Sequence, residues 1–518
     1  MKVQICKKYL VFPVNTAGEY KVLTFYKEDE EVYRLRIKLE DQKDKVNFNA
    51  YIEMSRFLGE ELTLAAEPDM MIPFREADAI DKEGLYQEPL RPKAHFSTKN
   101  GWINDPNGLV YQNGVYHMFY QYNPAENHWE NMHWGHAEST DLFHWEEKDI
   151  ALYPDHTGTM FSGCGLVDEK NLLGLQTGDT KTLLLYYTTT TPFVQRLAYS
   201  TDNFKTVKPF REKEVVENFY ESLNRDPKVV YAEDLGCYLM AIYLREDEFA
   251  LLKSSDLVNW EKFFEFRIPG DYEFPDILKF EDEGVLRYVI TSCHDFYIVG
   301  HFEEGRFIID QDVRCLQVDT IAQAGQAISN MPDDRCVRII WLRWPDFGQS
   351  FCGQMSLPAE YNMEKIKGEY YLSALPIKEI DTLVASEKTF ANQFVGKGDT
   401  FNVDLSASPY WLRLQGDVLA AGRVFVTLFG RTLTIDFDKN LVEYGGTACP
   451  ITVVGEKLDI VAVIDTVGAE IFADKGRVYF ASINAQTIQD YSRSFCEIKS
   501  TVDYTFDTIE IKELKSIW

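Results

Sequence analysis

One short pattern recurs along the first half of the chain and constrains its fold more than any other feature. Ser139-Thr140-Asp141-Leu142-Phe143-His144-Trp145 returns in part as Ser200-Thr201-Asp202-Asn203-Phe204, and again as Ser254-Ser255-Asp256-Leu257-Val258-Asn259-Trp260. The spacing is roughly 50–60 residues, and several strands per unit at that period are what propeller blades look like. Between the copies lie short apolar or alternating runs: Val115–Tyr120, Leu183–Tyr187, Tyr238–Tyr243 and Tyr288–Thr291. They are rich in β-branched and aromatic residues and bounded by turn residues, and helical periodicity is scarce throughout. The expectation is an all-β fold built on a β-propeller. Blades point the ends of their inner strands at a central funnel, so residues far apart in sequence can converge there.

Three acidic residues occupy similar settings within this repeat. Trp102-Ile103-Asn104-Asp105-Pro106-Asn107-Gly108 is turn chemistry followed by the strand-like Leu109-Val110-Tyr111. It reads as a rigid corner at a strand edge carrying one carboxylate. Taken alone, it is equally an Asx-turn without function. Arg225-Asp226-Pro227 precedes Lys228–Tyr231, and Tyr272-Glu273-Phe274-Pro275-Asp276 precedes Ile277–Phe280. Each places an acid, with a proline close behind, at the entry to an apolar run. Three such acids suggest one site built from equivalent corners of a repeated unit.

These motifs, in this order, resemble those of glycoside hydrolase family 32, which includes β-fructofuranosidases, levanases and inulinases. Tyr120–Pro124, Trp129–His136 and Phe161-Ser162-Gly163 lie between them and also match family motifs. Met355–Pro358 and Leu375–Glu379 match the usual exit from the propeller. Leu458 to Phe472, with Asp465 and Glu470, resembles the family's C-terminal sandwich. The first ninety residues resemble an extra N-terminal module of some bacterial levanase-type members. The resemblance implies a five-bladed β-propeller catalytic domain, a C-terminal β-sandwich and a small β-rich N-terminal module. The expected bounds are 1–92, including a linker from Asp78 to Pro92, then 93–380 and 381–518.

By the same resemblance Asp105 is the nucleophile, Glu273 the acid and base, and Asp226 a third carboxylate that stabilises the transition state. Asn104, Gln121, Trp129, Phe161, Ser162 and Arg225 are implied fructose contacts. Cleaving a glycosidic bond passes through an oxocarbenium-like transition state assisted by two carboxyl groups. The acid must begin protonated, so Glu273 is expected to be raised by burial or a carboxylate neighbour. Arg225 is expected beside Asp226, keeping it ionised. Two positions depart from the family pattern: Phe274 stands where Cys is usual, and Cys164 where Ser is usual. Neither removes a carboxylate.

Other features have plainer readings. His128, His133 and His136 cluster in sequence, but no nearby acid completes a recognisable ligand spacing, so structural roles are expected and no metal or cofactor. Chelation is expected to leave turnover unchanged. The nine cysteines include no close pair, which suits free thiols in a reducing compartment. Trp341 and Trp344 are equally subsite walls or core.

A net charge of −29 and a pI near 4.8 argue against nucleic acid or an anionic membrane surface as partner, and suit a neutral saccharide. No apolar run approaches the length of a membrane span. The N-terminus does not read as a signal peptide, so a cytoplasmic location is expected, with a secreted or periplasmic one the alternative if a leader has been removed.

The substrate expected is a fructan, a fructo-oligosaccharide or a sucrose-like sugar, with levan ahead of inulin and sucrose slower. The alternatives are a fructosyltransferase using the same residues, a sucrose-6-phosphate hydrolase, a related inverting pentosidase, and a non-catalytic sugar-binding protein. No Gly-rich phosphate cradle precedes a helix, which weighs against the phosphorylated substrate.

Overall fold

The computed structural model describes residues 1–518 other than 82, 212, 220–222, 452–456 and 484–494; position 82 of the expected linker thus lies outside the described residues. Strands dominate the chain, and the only helical pieces among the described residues are short 3₁₀ turns.

The N-terminal residues form two small sheets packed face to face. One has the order Lys2–Gln4, Glu61–Glu67, Lys21–Lys27, Glu30–Ile37, and the other Phe48–Glu53, Tyr9–Val14, Arg75–Ala77. Alternation explains the packing: in Glu30–Ile37 the rings and branches of Tyr33, Leu35 and Ile37 are buried while Arg34 and Arg36 face out. Tyr9–Val14, which reads in sequence as no more than a short apolar piece, is the central strand of its sheet. The core of these two sheets takes in Ala125 and Tyr153 from the propeller. Tyr33 meets Tyr153 edge-on at 5.5 Å. Glu53 Oε2 accepts the Ile150 N–H at 2.7 Å and the Tyr153 hydroxyl at 3.1 Å.

Five antiparallel sheets then make the blades of the propeller. Their innermost strands are Gly101–Gln112, Met160–Val167, Arg225–Ala232, Asp276–Asp282 and Ala322–Ala327. These lie side by side around the funnel; four of them are buried on both faces for most of their length, and Asp276–Asp282 is buried only at its first three residues. The ring is closed by Phe351–Cys352, which leaves the fifth blade and pairs parallel with Gly101 and Trp102 of the first.

The repeated sequence pattern is the turn between the third and fourth strands of blades one to three. Ser139 Oγ accepts the Leu142 N–H at 2.9 Å, and Asp141 Oδ1 accepts those of Phe143 and His144. Ser254 and Asp256 repeat this toward Leu257, Val258 and Asn259. Ser200 and Asp202 do so toward Phe204 and Thr206. The hydroxyl and carboxylate satisfy amides that the turn would otherwise leave unpaired.

The C-terminal part is a sandwich of two six-stranded sheets with its own apolar core. A buried imidazole joins it to the propeller: His95 hydrogen-bonds Asp465 through Nδ1 at 2.8 Å and Glu470 through Nε2 at 2.9 Å. Burial works against the charged ring, but the two carboxylates raise its pKa to about 9.

One local reading is corrected. Asn104 to Gly108 do not form a corner ahead of a strand; they lie inside Gly101–Gln112. The strand continues through them by slipping register twice, between Ile103 and Pro106 and between Asn107 and Val110. Pro106 has no N–H for the ladder, and Gly108 has a φ of 57°, where a Cβ would sit 2.6 Å from the Phe119 ring. Turn-forming residues here produce bulges.

Candidate active site

The bulge aims a side chain. Asn104 and Asp105 leave the ladder at the first register shift, and Asp105 turns into the funnel, where a cavity of about 570 Å³ opens. The other two acids are aimed by comparable irregularities. Asp226 lies at a register shift between Arg225 and Lys228, with a φ of 61°. Glu273 and Phe274 have φ values of 44° and 52° just ahead of Asp276–Asp282. Left-handed backbone at a non-glycine residue costs energy and persists only where surroundings impose it. Here Cys293 donates its N–H to the Glu273 carbonyl at 3.1 Å, and Phe274 donates its own to Asp226 Oδ2 at 3.3 Å. Asp271, two residues earlier, is gripped by Ser292 and His294.

Every residue expected in the site lines this one cavity: Asn104, Asp105, Gln121, Trp129, Phe161, Ser162, Arg225, Asp226 and Glu273. The strands of blades one to four thus bring together side chains spread over 170 positions of sequence. Asp105 accepts the Ser162 hydroxyl at Oδ2, 2.8 Å, and the Asn104 amide at Oδ1, 3.1 Å. Burial raises its pKa to about 7; the Ser162 hydrogen bond opposes that rise and the Glu273 charge adds to it. Asp226 is held well above the ordinary carboxylate range, first by burial and then by Glu273 and Asp105, with Arg225 pulling the other way.

Arg225 stands beside Asp226 as expected, with Nε 3.6 Å from its carboxylate and its charge opposing the rise there, while its hydrogen bonds go to Glu273. One expectation is corrected. Glu273 is not deeply buried. Its side chain keeps 29% of its exposure and has a guanidinium for a partner.

The cavity wall holds polar atoms with no protein partner among the described residues: Asn104 Oδ1, Gln121 Oε1 and Trp341 Nε1. Two acceptors and a donor of this kind, beside carboxylates and aromatic faces, suit a ligand dense in hydroxyl groups. The two tryptophans left open by sequence divide. Trp341 lines the cavity, and Trp344 is buried with its indole N–H on Gln354 at 3.1 Å.

Phe193, Leu223, Cys293, Gln323 and Ala324 also line the cavity and carry no sequence signal; Arg343 joins them from the stretch Trp341 to Trp344, which resembles levanase-type members. Arg343 is exposed, and no salt bridge is formed by its side chain among the described residues. Of the two departures from the family pattern, Phe274 forms part of the wall, while Cys164 is buried behind it with Sγ accepting the Val229 N–H at 3.2 Å.

The histidines His128, His133 and His136 diverge. His128 meets Glu126, His133 meets the Tyr33 hydroxyl at 2.8 Å, and His136 meets His117 at 3.1 Å. His117, His136 and Glu138 do have ligand atoms within 4.8 Å of one another. Burial lowers the first ring to a pKa of about 4 and the second well below its usual value, so both are neutral. They do not line the cavity.

Comparison with known proteins places this architecture. The family model for the glycosyl hydrolases family 32 N-terminal domain matches residues 95–374. A levanase of Bacillus subtilis (strain 168) is 28% identical over 498 residues, covering 85% of this chain and 73% of that protein. A fructan beta-fructosidase of Streptococcus mutans is 32% identical over 363 residues, covering 63% of this chain and 25% of that much longer protein. Among solved structures, an exo-inulinase from Aspergillus awamori superposes with a TM-score of 0.73 at 22% identity, covering 84% of this chain and all of the other. A beta-fructofuranosidase from Schwanniomyces occidentalis, complexed with fructosyl-erythritol, gives the same score at 19% identity, covering 85% of this chain and all of the other. The structural likeness is one of fold, a propeller joined to a sandwich.

Proposed function

The chain belongs to glycosyl hydrolase family 32, and on that footing we propose that it is a retaining β-fructosidase. It hydrolyses β-fructosyl linkages of fructans, levan ahead of inulin, and cleaves sucrose more slowly. The observation that carries this reading is the convergence of Asp105, Asp226 and Glu273, from three different blades, on one cavity.

In the reaction, the Asp105 carboxylate attacks the anomeric carbon of a terminal fructosyl ring as the bond to the leaving oxygen breaks. Glu273 delivers its proton to that oxygen, so the departing sugar leaves as a neutral alcohol. Water then enters, Glu273 takes its proton, and the new carbon–oxygen bond displaces Asp105. The result is net retention. Asp226 and the unpartnered Asn104 and Gln121 oxygens accept the ring hydroxyls, and Trp129, Phe161 and Trp341 give apolar faces. The Ser162 hydroxyl holds Asp105 toward its ionised form.

Anion-exchange analysis of products from levan, inulin and sucrose, with proton NMR of the first product before mutarotation, tests the reading. Fructose or short fructo-oligosaccharides appearing first as the β-anomer is the result expected. An initial α-anomer would remove the covalent step.

A second reading has one observation in its favour. Arg343 places an exposed cation on the cavity wall that forms no salt bridge among the described residues, as a phosphorylated sugar would require. Including sucrose 6-phosphate among the substrates distinguishes the two.

A further inference from the structure

Trp129 is the most exposed large aromatic residue of the cavity, with 52% of its surface open, and it meets Phe161 edge-on at 6.0 Å. From the propeller side its loop, residues 124–132, is held at its ends, where Asn123 Oδ1 accepts from Ala125 at 3.0 Å and from Asn131 Nδ2 at 3.3 Å and Met132 is buried in the core, and at two points nearer Trp129. Asn123 Nδ2 donates to the His128 carbonyl at 2.8 Å, and Asn127 Nδ2 to the Gln349 carbonyl at 2.6 Å.

The N-terminal module holds the other side of the loop on both flanks of Trp129. Asn131, at a φ of 52°, turns its side-chain amide against the edge strand Glu30–Ile37. Its Oδ1 accepts the Arg36 N–H at 2.6 Å and its Nδ2 donates to the Arg36 carbonyl at 2.7 Å. The side chain thereby pairs with Arg36 as another strand would, and occupies an open sheet edge. The Arg36 guanidinium binds Glu130 at 2.8 Å and lies 4.4 Å over the Tyr20 ring. On the other flank, the Tyr20 hydroxyl hydrogen-bonds His128 and donates to Glu126 Oε2 at 3.3 Å. Lys38 donates its N–H to Glu126 Oε1 at 3.2 Å. Ala125 is buried in the module's own core. Residues 128 and 130, the immediate neighbours of Trp129, are both in the grip of the module.

We propose that the N-terminal module is part of the substrate-binding apparatus: Asn131, Arg36 and Tyr20 are positioning residues that fix Trp129 at the mouth of the cavity, and the module so sets the preference for longer fructosides. This rests on the β-fructosidase reading above. A half-exposed indole held on one face gives sugar rings beyond the cleaved bond a flat apolar surface. Each contact that fixes the indole lowers the ordering cost of binding them. The cleaved ring itself lies deeper, among the carboxylates, where Trp129 is one apolar face of several, so it depends less on the clamp.

The test compares kcat and KM for sucrose and for a levan oligosaccharide in the wild type, Asn131→Asp, Trp129→Ala and the double variant. Asp tolerates the positive φ at position 131, so this change removes the amide donor with little backbone strain. For Asn131→Asp the expected result is a roughly tenfold fall in kcat/KM for the oligosaccharide, carried by KM, with sucrose kcat within about twofold of wild type; Trp129→Ala, which removes a wall of the pocket itself, is expected to lower both substrates, the oligosaccharide more. The double variant should be no worse than Trp129→Ala alone, because both changes remove the same contact.

Additive losses, or equal losses on both substrates, would mean the module only stabilises the fold and would overturn the proposal. Tyr20→Phe, which removes one hydroxyl and keeps the ring, repeats the comparison if Asn131→Asp lowers the melting temperature. A wild type inactive on every fructoside overturns both this inference and the reading it rests on. An active wild type whose substrate ratio none of the variants moves overturns the clamp alone.

Discussion

Arg225 donates two hydrogen bonds to a single oxygen of Glu273, from Nε at 2.9 Å and from Nη2 at 2.6 Å. The guanidinium also lies 4.5 Å over the Tyr243 ring, so its plane is fixed from below. This contact joins the third and fourth blades at the point where the proposed reaction needs an acid, and it holds the Glu273 carboxyl in one orientation while leaving its second oxygen free of the guanidinium.

A fork of this kind is not replaced by a point charge. Arg225→Lys is expected to lower kcat/KM on sucrose by about a hundredfold, near 3 kcal/mol of transition-state stabilisation. The protein should stay folded by near-ultraviolet circular dichroism. Retention of more than half the activity would show that charge alone suffices at this position.

The two reacting carboxyls are expected to separate by substrate. Asp105→Ala should abolish turnover of every fructoside. Glu273→Ala should cost roughly 10²–10⁴ in kcat on sucrose and much less on a fructoside whose leaving group needs no proton. Steady-state rates on both substrates decide it, and equal losses would remove Glu273 from the acid role.

The Asp105 pKa of about 7 has a sign that can be read in a pH profile. In its proposed role as nucleophile Asp105 must be ionised, so kcat/KM should fall as pH drops through that value, well above the range of an ordinary aspartate. Ser162 donates to Asp105 and opposes the rise. Ser162→Ala is therefore expected to move the acid limb upward, by about one pH unit for a hydrogen bond of ordinary strength. A limb that moves downward would show that the hydroxyl stabilises the protonated form.

The same shift is a stability statement. Asp105 is neutral when folded at a pH where it is ionised when unfolded, so stability is complete below about pH 4 and is lost as pH rises toward 7. The loss is roughly 4 kcal/mol at most by linkage. Asp105→Asn should therefore raise the denaturation midpoint at pH 8 and change it little at pH 4. A variant equally or less stable at pH 8 would show that the carboxylate is better solvated than its burial implies.

Arg343 offers the sharpest substrate test. Arg343→Ala is expected to leave sucrose kcat/KM within about threefold of wild type. If sucrose 6-phosphate is cleaved at all, its kcat/KM should drop by about tenfold or more, the weight of one charge-assisted contact. Equal effects on both sugars would make Arg343 a wall residue without charge selectivity.

The parts of this molecule legible in sequence are those governed by local chemistry. The repeated serine and aspartate pattern could be read because it closes a turn with its own backbone amides. The three carboxylates could be read because each has a distinctive short neighbourhood. The bulged strand could not, since Asn104 to Gly108 are locally turn residues and only pairing with Val115–Asn123 makes them slip register instead. The partner of Arg225 could not be read either: residues 225 and 226 are neighbours in the chain, yet the guanidinium crosses to another blade. Phe193 and Gln323 enter the cavity through blade geometry alone, with no motif to mark them. The grip on Trp129 depends on the docking of two units, which no periodicity encodes.

Closure of the propeller by Phe351–Cys352 against Gly101 and Trp102 also carries a consequence for how the molecule comes to exist. The strand bearing Asp105 gains its last neighbour only from chain that emerges after all five innermost strands have been made. During synthesis its edge stays open while the middle blades can already pair locally, and such long-range pairing is slow because loop entropy is lost before contacts form. Fragments ending before residue 351 would therefore hold Asp105 on an unsealed strand, prone to pair with other chains. Activity is expected only once the ring is shut.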